Sequence, residues 1–473
     1  MIPNNFYFGG GSVETVMTPA GALLLLLASI CILALPRKYV LIPVILGAFF
    51  VPRGLVLVIS GFHISPVRLI AFVGWIRLAY MKWIAGSELI GKRWNSVDGA
   101  FLWCELFSAC AFVLLWRQQA AVFNQIGYLW ETLGMYFLLR ILIQDKSDVL
   151  TAIKVLGLVA IVNAGEMVYE QKSFQNLFGV YLGGVDAVPI LRDDKIRSQG
   201  AFGYSILAGT YAATLVPLLV LLWERGKSRI LAAAGVLACV VMVYTCASST
   251  PALAIVAGIL GLALWPFRRS MRLIRWGIVA FLVLAHITMK APVWFLIAHM
   301  DVVGASSGYH RAELVDVFIR HFWDWWLVGT KDTGNWGWDM FDLSNNYVAR
   351  GESGGIITFV LFVAVISRSF GRLGRARKAV AGSLRREWFF WALGAALFAH
   401  VVGFFGISYW DQTAVAWYAL LAMISAATAG ELASAEKVEP QLGLTDAGIL
   451  EPASVPERWE LSQEWAPSNE SSL

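Results

Sequence analysis

Charged residues that could handle a phosphate group concentrate between Asp301 and Glu352, a polar stretch flanked by long apolar runs. His310 and Arg311 begin a segment of helical period there, so an anion beside them would gain both the helix dipole and guanidinium hydrogen bonds. Asp342 follows in the same stretch and offers a carboxylate that could take up a proton. We therefore predict that His310, Arg311 and Asp342 are catalytic. The alternative is that Arg311 only caps the helix or pairs with an acid.

A second polar segment ends at Arg197, just before an apolar run. An arginine at a membrane surface suits an anionic lipid diphosphate, although its stem could instead snorkel at the interface. Glu166 and Glu170 lie one helical turn apart in the preceding run and share a face. They are either a proton-accepting site or partners for Lys172 and Arg192.

Polar residues near the last apolar runs complete the predicted substrate site. Asn345 and Asn346 offer donors and acceptors suited to sugar hydroxyls, although Asn also commonly caps helices and forms turns. Tyr409 and Asp411 precede the final run, where the tyrosine could equally be an aromatic-belt anchor. The predicted substrate-binding residues are Arg197, Arg320, Asn345, Asn346, Glu170, Tyr409 and Asp411.

Motifs for other chemistries are missing from the sequence. It contains no Walker motif, no GxGxxG after a strand and no CxxC pair, which argues against ATP-driven transport and redox work. No two or three of its histidines occur at metal-ligand spacing. We therefore predict no metal, no cofactor and no nucleic-acid partner. The five cysteines fall in or beside apolar runs and are interpreted as small buried side chains.

The elements that must position these residues are apolar. Of 473 residues, 58% are hydrophobic and 15% are charged, against roughly a quarter charged in soluble domains, and the mean hydropathy is +0.66. This composition predicts an all-α, polytopic integral membrane protein with about 12–13 transmembrane helices. The residues before the first run lack Lys and Arg, so we expect no cleaved signal peptide. The clearer apolar runs are 18–35, 39–60, 66–81, 98–116, 123–143, 150–168, 200–223, 229–246, 250–265, 274–289, 353–367, 387–407 and 412–428.

Lys and Arg collect in four short loops, and cytoplasmic loops of membrane proteins carry this excess. All four can be cytoplasmic at once, which places residues 169–199, 290–352 and the turn near 408–411 on the outer side. From residue 430 onward, nine acidic residues accompany two basic ones in a tail rich in Pro, Ser and Glu, which predicts a disordered cytoplasmic segment. The basic loops are 82–93, 225–229, 268–275 and 368–386.

Within the long outer loop, the segment from His310 to Leu327 has helical period. Its apolar face predicts an interfacial helix that lies along the membrane surface, with Trp323, Trp325 and Trp326 at headgroup level. The residues of that apolar face are Leu314, Val317, Phe318, Phe322 and Trp325.

Three patterns follow one another along the chain: RSQGAFGYSILAGTYAA at 197–213, GYHRAELVDVFIRHFWDWWLVGT at 308–330 and LSNNYVARGESGGIITFVLF at 343–362. Together with the layout of the apolar runs as far as about residue 428, they resemble the O-antigen ligase and O-antigen polymerase superfamily of bacterial inner-membrane proteins. The first is similar to its Arg-x-x-Gly-Phe motif and the second to its Arg-led helix ending in Gly. The third is similar to its His-Asn motif, which precedes a Gly-rich entry to a span.

The resemblance implies an activity and its partners. Members move a glycan from undecaprenyl diphosphate onto lipid A core or another repeat unit, at the periplasmic face and without a metal. Here it implies that Arg197 and Arg311 hold the diphosphate and stabilise its leaving charge. The expected partners are a polyprenyl-diphosphate-linked oligosaccharide, the lipid bilayer and other polysaccharide assembly proteins.

The same resemblance implies a multi-pass protein of the bacterial inner membrane with its active site facing the periplasm. The predicted domains are an N-terminal transmembrane bundle (1–289) with an outer loop (169–199), a periplasmic loop (290–352), C-terminal transmembrane helices (353–429) and a disordered acidic cytoplasmic tail (430–473).

The chain departs from the family at one catalytic position. Asn345 stands where the ligase histidine would lie, and an amide cannot act as a general base. His310, Asp342 or His321 could supply that function instead. The SSTP turn at 248–251 also lacks the arginine that often follows Thr-Gly-Ser in relatives. We therefore expect an exopolysaccharide or capsule polymerase-like member rather than a lipid A core ligase.

Two non-catalytic functions are alternatives: a transporter or flippase of lipid-linked sugar, and an assembly subunit of an export complex. A flippase should carry charges deep within several spans, whereas the clearer mid-span candidates, Glu105 and Glu131, are few. An assembly subunit predicts that the polar residues of the outer loops are dispensable.

Overall fold

The computed structural model describes residues 15–59, 62–84, 86, 94–192, 194–223, 226, 228–300 and 307–442. Within these residues the chain is mainly helical, and its strands form two short antiparallel hairpins, β1–β2 and β3–β4. The fold is therefore all-α, as the composition predicts. The helices are α1 Pro19–Ala34, α2 Arg37–Phe50, α3 Pro66–Trp83, α4 Ser96–Trp116, α5 Gln119–Leu142, α6 Lys146–Ser173, α7 Ser205–Val220, α8 Ser228–Thr245, α9 Ser249–Ala263, α10 Met271–Thr288, α11 Ser307–Arg320, α12 Phe322–Trp325, α13 Asn346–Ala379, α14 Leu384–Gly403 and α15 Gln412–Leu442; the strands are β1 Leu57–Ile59, β2 Phe62–Ile64, β3 Ile190–Arg192 and β4 Lys195–Arg197.

Six of the described helices are long and apolar enough to cross a membrane. They are α4, α6, α8, α10, α13 and the part of α15 up to Ala433, while α1, α7 and α9 are apolar but shorter. Each predicted apolar run contains a helix. The lengths and compositions of these helices are those of membrane-embedded segments.

Helix boundaries follow local backbone chemistry. α4 begins with a reciprocal capping box, in which the Asn95 side chain accepts from the Asp98 N–H and the Asp98 carboxylate accepts from the Asn95 N–H. α13 is interrupted at Gly355, whose φ of 71° lies in the left-handed region. A Cβ there would lie 2.5 Å from the carbonyl oxygen of Leu327. Only glycine fits this close approach of α13 to the preceding segment.

The second apolar run ends as helix earlier than its hydropathy predicts. α2 stops at Phe50, and after Pro52 the chain forms the β1–β2 hairpin. Proline has no N–H to donate, and Arg53 is held by an ion pair with Glu131 at 2.7 Å. These two residues redirect the chain into the hairpin.

Buried charges are paired inside the helix bundle. Asp98 on α4 accepts hydrogen bonds from the Tyr136 hydroxyl at 2.6 Å and from Arg140 Nε at 3.1 Å, both on α5. The side chains of Asp98 and Arg140 are 0% and 2% exposed. Pairing offsets the large cost of removing such charges from water. Further close pairs in the bundle are Glu105–Arg350, Glu131–Arg53 and Glu131–Arg68.

Three of the predicted basic loops meet at one end of the helices, which we call the basic end. Arg268, after α9, donates to Glu387 at the start of α14 at 3.2 Å. Arg229, at the start of α8, lines a pocket together with Arg385 of α14. Their convergence agrees with the prediction that these loops share one side. In the fourth loop, residues 87–93 lie outside the described part of the chain.

The segment predicted as one interfacial helix is broken after Arg320 into α11 and α12. Its apolar face is buried against protein: Trp325 is 3% exposed and stacks on Phe318, with ring centroids 4.0 Å apart. Gly351 on α13 leaves room for the Phe318 ring, because a Cβ there would lie 2.4 Å from it. The predicted contact of this apolar face with the membrane is therefore wrong for Trp325, which contacts protein, whereas Trp323 is 76% exposed.

The last helix continues beyond the predicted boundary at residue 429. α15 extends to Leu442 because the segment GELASAEK consists largely of good helix formers. The rest of the predicted disordered tail, from residue 443, lies outside the described residues. Residues up to Leu432 form one compact unit, and Ala433 begins a second.

Candidate functional site

An open cavity of about 530 Å³ lies where distant polar segments of the chain meet. Its described lining includes four basic side chains and two carboxylates, so it carries two net positive charges when its histidine is neutral. A positive, concave surface favours an anionic ligand. The charged lining residues are Arg192, Lys195, Arg197, Arg311, Asp339 and Asp342, and the histidine is His310.

The cavity brings together four residues that the sequence analysis selects. Arg197 comes from the β3–β4 hairpin, His310 and Arg311 from α11, and Asp342 from the loop before α13. More than a hundred residues separate Arg197 from Arg311. Packing of the chain therefore creates one site from segments that are remote in sequence.

The C-terminal end of α6 positions the hairpin that carries Arg197. The side chain of Gln171 donates to the carbonyl oxygens of Ile196 at 2.8 Å and Thr245 at 3.0 Å. It thereby ties the hairpin to the turn between α8 and α9. Arg197 Nε lies 3.5 Å from the Cys246 carbonyl oxygen in the same turn.

Glu170 holds the segment that follows the hairpin, and Glu166 holds a segment that precedes it. Glu170 is fully buried and accepts from the backbone N–H groups of Gln199 at 3.0 Å and Gly200 at 3.1 Å. Glu166 accepts from the N–H of Leu177 at 3.0 Å. Each carboxylate therefore accepts hydrogen bonds from backbone amides. Glu170, predicted to bind substrate, lies beneath the cavity wall and positions it.

The loop before α15 supports the same wall from the other side. The Asp411 carboxylate accepts from the Gly203 N–H, and Gln412 donates to the Ala201 carbonyl oxygen at 2.8 Å. Asp411 is 1% exposed. Burial raises the pKa of Asp411 to about 6, although the Gly203 hydrogen bond lowers it. Asp411, also predicted to bind substrate, thus faces the protein interior.

Three more predicted substrate-binding residues have structural contacts instead of lining the cavity. Asn345 caps α13, accepting from the Tyr347 N–H at 2.9 Å. Asn346 accepts from the Tyr409 N–H at 3.2 Å. The Tyr409 hydroxyl lies 3.0 Å from His400 Nδ1, and burial raises the pKa of this phenol well above its ordinary value. Asn345 is therefore a helix cap, which was the alternative to sugar binding, and the contacts of Asn346 and Tyr409 anchor the loop before α15.

The geometry of His310 favours one tautomer. Its Nε2 lies 3.2 Å from the main-chain oxygen of Asp342. A carbonyl oxygen can only accept, so Nε2 carries the proton in this contact, and Nδ1 of the neutral ring retains a lone pair. His310 and Asp342 therefore place two proton acceptors at one cavity: an imidazole nitrogen and a carboxylate.

The two arginines of α11 have different environments. Arg311 lines the cavity and is 6% exposed. Arg320 pairs with Asp316 at 2.7 Å, and its side chain is 73% exposed. Asp316 also accepts from the Trp294 indole N–H at 3.1 Å. Arg320 is absent from the cavity lining, so only the first of these arginines belongs to the site.

The start of α9 adds a feature that the sequence analysis does not select as a site. Ser248 and Ser249 line the cavity at the N-terminus of this helix, after Ala247 with a φ of 44°. The first backbone N–H groups of a helix lack intrahelical acceptors, and the helix dipole favours anions there. The SSTP turn is the sequence signal that could have identified it.

An aromatic pair forms another part of the lining. Tyr204 and Trp410 lie edge to face, with ring centroids 5.2 Å apart and a 77° interplanar angle. Both side chains remain partly exposed to the cavity side, at 51% and 40%. Their proximity could not be read from sequence, because α7 to α14 lie between them.

Among the residues that the structure describes, no group of three or more His, Cys, Asp or Glu side chains is placed to hold a metal ion. Comparison of the chain with known protein families found no matching family model, and no curated protein matched it.

Proposed function

We propose that this protein transfers a glycan from a polyprenyl diphosphate to a saccharide acceptor at the periplasmic face of a bacterial inner membrane. It would act as a polymerase-like member of the O-antigen ligase superfamily. The observation that carries the proposal is the convergence of Arg197, His310, Arg311 and Asp342 on one open, positively charged cavity.

The proposed topology has 12 or 13 spans, as the apolar runs predict, with the cavity opposite the basic end. α8 links the two ends, from Ser228 beside the basic pocket to Thr245 beside the cavity turn. Its length of roughly 27 Å matches the hydrocarbon thickness of a bilayer. Because basic loops remain cytoplasmic, the cavity would open to the periplasm at lipid headgroup depth.

The cations of the cavity suit a diphosphate. Arg197 and Arg311 would contact its oxygens through planar guanidinium groups, which can donate two parallel hydrogen bonds. Arg192 and Lys195 extend the positive surface along the hairpin, and the start of α9 offers backbone donors. Such preorganised positive groups stabilise the charge that develops on a departing diphosphate.

The proposed reaction is a single displacement at the anomeric carbon of the donor. An acceptor hydroxyl attacks that carbon while its bond to the diphosphate oxygen breaks, and the polyprenyl diphosphate leaves with the bonding electrons. Attack and departure on opposite faces invert the configuration. The hydroxyl proton passes to His310 Nδ1 or to the Asp342 carboxylate, which are the bases that the lining offers in place of the amide Asn345.

The aromatic pair supports a sugar as the transferred group. Tyr204 and Trp410 offer apolar ring surfaces beside polar groups, and amphipathic aromatic rings suit a ligand with both apolar and polar faces. The two mid-span acids are already paired: Glu105 with Arg350 at 3.0 Å and Glu131 with Arg53 at 2.7 Å. This favours a structural role for them over the polar lining of a flippase route.

The test uses a strain that lacks this gene, complemented with wild type, Arg197→Ala, Arg311→Ala, Asp342→Ala or the matched control Arg320→Ala. Membrane levels of each variant are measured by immunoblot. Because Arg320 lies on the same helix as Arg311 but outside the cavity, its loss should leave long polymer intact. The two cavity arginine variants should lose long polymer and accumulate lipid-linked repeat units in the periplasmic leaflet.

Normal chain lengths in all three cavity variants would refute the site. Accumulation of lipid-linked units in the cytoplasmic leaflet would instead indicate transport across the membrane. Loss of polymer only when the protein itself is missing, with every variant active, would indicate an assembly subunit.

A further inference from the structure

A second pocket lies at the basic end and has no part in the proposed transfer reaction. It has a volume of about 550 Å³ and is lined by Arg229, Trp265, Leu384, Arg385 and Trp388. The start of α8, the segment just after α9 and the start of α14 contribute these residues. The pocket therefore combines two cations with an aromatic and aliphatic wall.

The indole rings of the aromatic wall are held in place by contacts with one another and with Arg268. Trp265 and Trp388 pack edge to face with centroids 5.1 Å apart, and Trp265 packs in the same way on Trp391 at 5.8 Å. The Arg268 guanidinium covers the other side of Trp265 at 4.2 Å and is paired with Glu387 at 3.2 Å. The charge of Arg268 is thus balanced by protein, and the indoles are held in place behind the two lining arginines.

The two lining arginines are exposed and come from different helices. Arg229 is oriented by a hydrogen bond from its Nε to the Trp223 carbonyl oxygen at 2.9 Å, and Arg385 lies in the first turn of α14. Arginines that line one open pocket can share a phosphate group between them. The chemistry of the pocket therefore fits a phosphate ester.

The position of the pocket indicates the source of that phosphate. It lies where apolar helix α8 begins and α9 ends, and tryptophans and basic residues at such termini mark the headgroup level of a bilayer. Leu384 is 62% exposed at the rim and offers apolar surface. A phospholipid can place its phosphate beside the arginines and its acyl chains along the helices, whereas a free phosphate would leave the apolar wall unused.

We propose that this pocket binds the headgroup of an anionic phospholipid, with Arg229 and Arg385 on its phosphate and the Trp265–Trp388 wall against its glycerol and upper acyl chain. The site is distinct from the transfer cavity, and its occupancy can be measured without any assay of glycan transfer.

The experiment uses the full-length protein, delipidated in detergent. Binding of phosphatidylglycerol and of phosphatidylcholine with the same acyl chains is measured by native mass spectrometry and by the shift in melting temperature. Inorganic phosphate and glycerol 3-phosphate serve as soluble probes. The double variant Arg229→Gln/Arg385→Gln is compared with Arg269→Gln/Arg375→Gln, which removes the same charge from exposed positions of the basic segments outside the pocket.

Wild type and the control pair should prefer phosphatidylglycerol, and the pocket pair should bind it roughly thirtyfold more weakly. This estimate takes about 1 kcal/mol for each interfacial arginine, or about 2 kcal/mol in total. All proteins should melt alike without lipid, because the four arginines are exposed. An equal loss of phosphatidylglycerol binding in both double variants would overturn the site, because it would indicate diffuse electrostatic attraction of the lipid to the basic end. If the pocket double variant kept the preference for phosphatidylglycerol, the proposed site would be wrong. If glycerol 3-phosphate raised the melting temperature as much as phosphatidylglycerol does, the assignment to a lipid would be wrong.

Discussion

The open cavity lined by Arg197 and Arg311 and the buried Asp98 cluster place the same residue types in opposite surroundings. Around Asp98, a tyrosine and an arginine direct their hydrogen bonds at one carboxylate, and the charges are closed off from solvent. At the cavity, Arg197 and Arg311 line an open space beside His310 and Asp342. Residue type alone therefore does not distinguish an arginine that is paired inside the bundle from one that lines an open cavity. What an arginine faces decides its role.

The largest expected effect is on stability, at the buried pair of Asp98 and Arg140. Asp98→Ala leaves Arg140 buried without its carboxylate, so the free energy of unfolding should fall by about 3–5 kcal/mol. Thermal unfolding of the detergent-solubilised protein measures this loss. The matched control is Glu431→Gln, which breaks the more exposed pair with Arg386 and should cost about 0–1 kcal/mol. Equal effects of the two substitutions would contradict the distinction between buried and exposed pairs.

Asp411 shares features of both regions: its side chain is buried, like that of Asp98, and it supports the wall of the cavity. Its pKa rises from an ordinary 3.8 to about 6 on folding. Between these values the folded state retains a proton that the unfolded state releases, so stability should fall as the pH rises through this window. The total change is at most about 3 kcal/mol. The stability difference between wild type and Asp411→Asn, followed by thermal unfolding from pH 3.5 to 7, isolates this residue.

Asp411→Asn can still accept from Gly203 through its amide oxygen but cannot ionise. It should therefore lose the fall in stability that wild type shows across the window. If the wild-type and variant curves ran parallel over the whole pH range, the burial of an ionisable Asp411 would not contribute to stability as described.

At the cavity, Arg311→Lys should separate binding from folding. Lysine keeps the charge and much of the aliphatic stem but loses the planar pair of donors. We expect the rate of glycan transfer to fall roughly tenfold to a hundredfold, since a charged hydrogen bond contributes about 1.5–3 kcal/mol. The melting temperature should stay near that of wild type. A large fall in melting temperature with unchanged transfer per folded molecule would make Arg311 structural, like Arg140.

The smallest expected effect concerns Asn345, which stands where the proposed family membership would place a histidine. Its side chain caps α13, so Asn345→Ala should lower the free energy of unfolding by about 1 kcal/mol. Transfer per folded molecule should be unaffected, whereas Asn345→Asp, which retains a capping oxygen, should restore stability. Strongly reduced transfer in Asn345→Ala at normal protein level would return this residue to the active site.

The sequence by itself determined the helical class and the positions of the helices. Whether a segment is apolar enough for a membrane helix depends on its own composition, so each apolar run contains a helix. The sequence also predicted that the basic loops lie on the same side, because cytoplasmic loops of membrane proteins carry an excess of Lys and Arg. Predictions from neighbouring residues were wrong where a distant part of the chain covers a side chain. Trp325 has the amphipathic spacing of a surface helix, but Phe318 and α13 cover it.

Only the tertiary structure decided which polar side chains face the cavity. Asn345, Glu170 and Asp411 have the same local chemistry whether they contact backbone amides or a ligand, and packing directs all three to backbone groups. Arg197 reaches the cavity because Gln171 of α6 ties its hairpin to the end of α8, and Arg311 reaches the same cavity from α11. Such contacts between distant segments depend on the packing of the whole chain, and no window of neighbouring residues contains them.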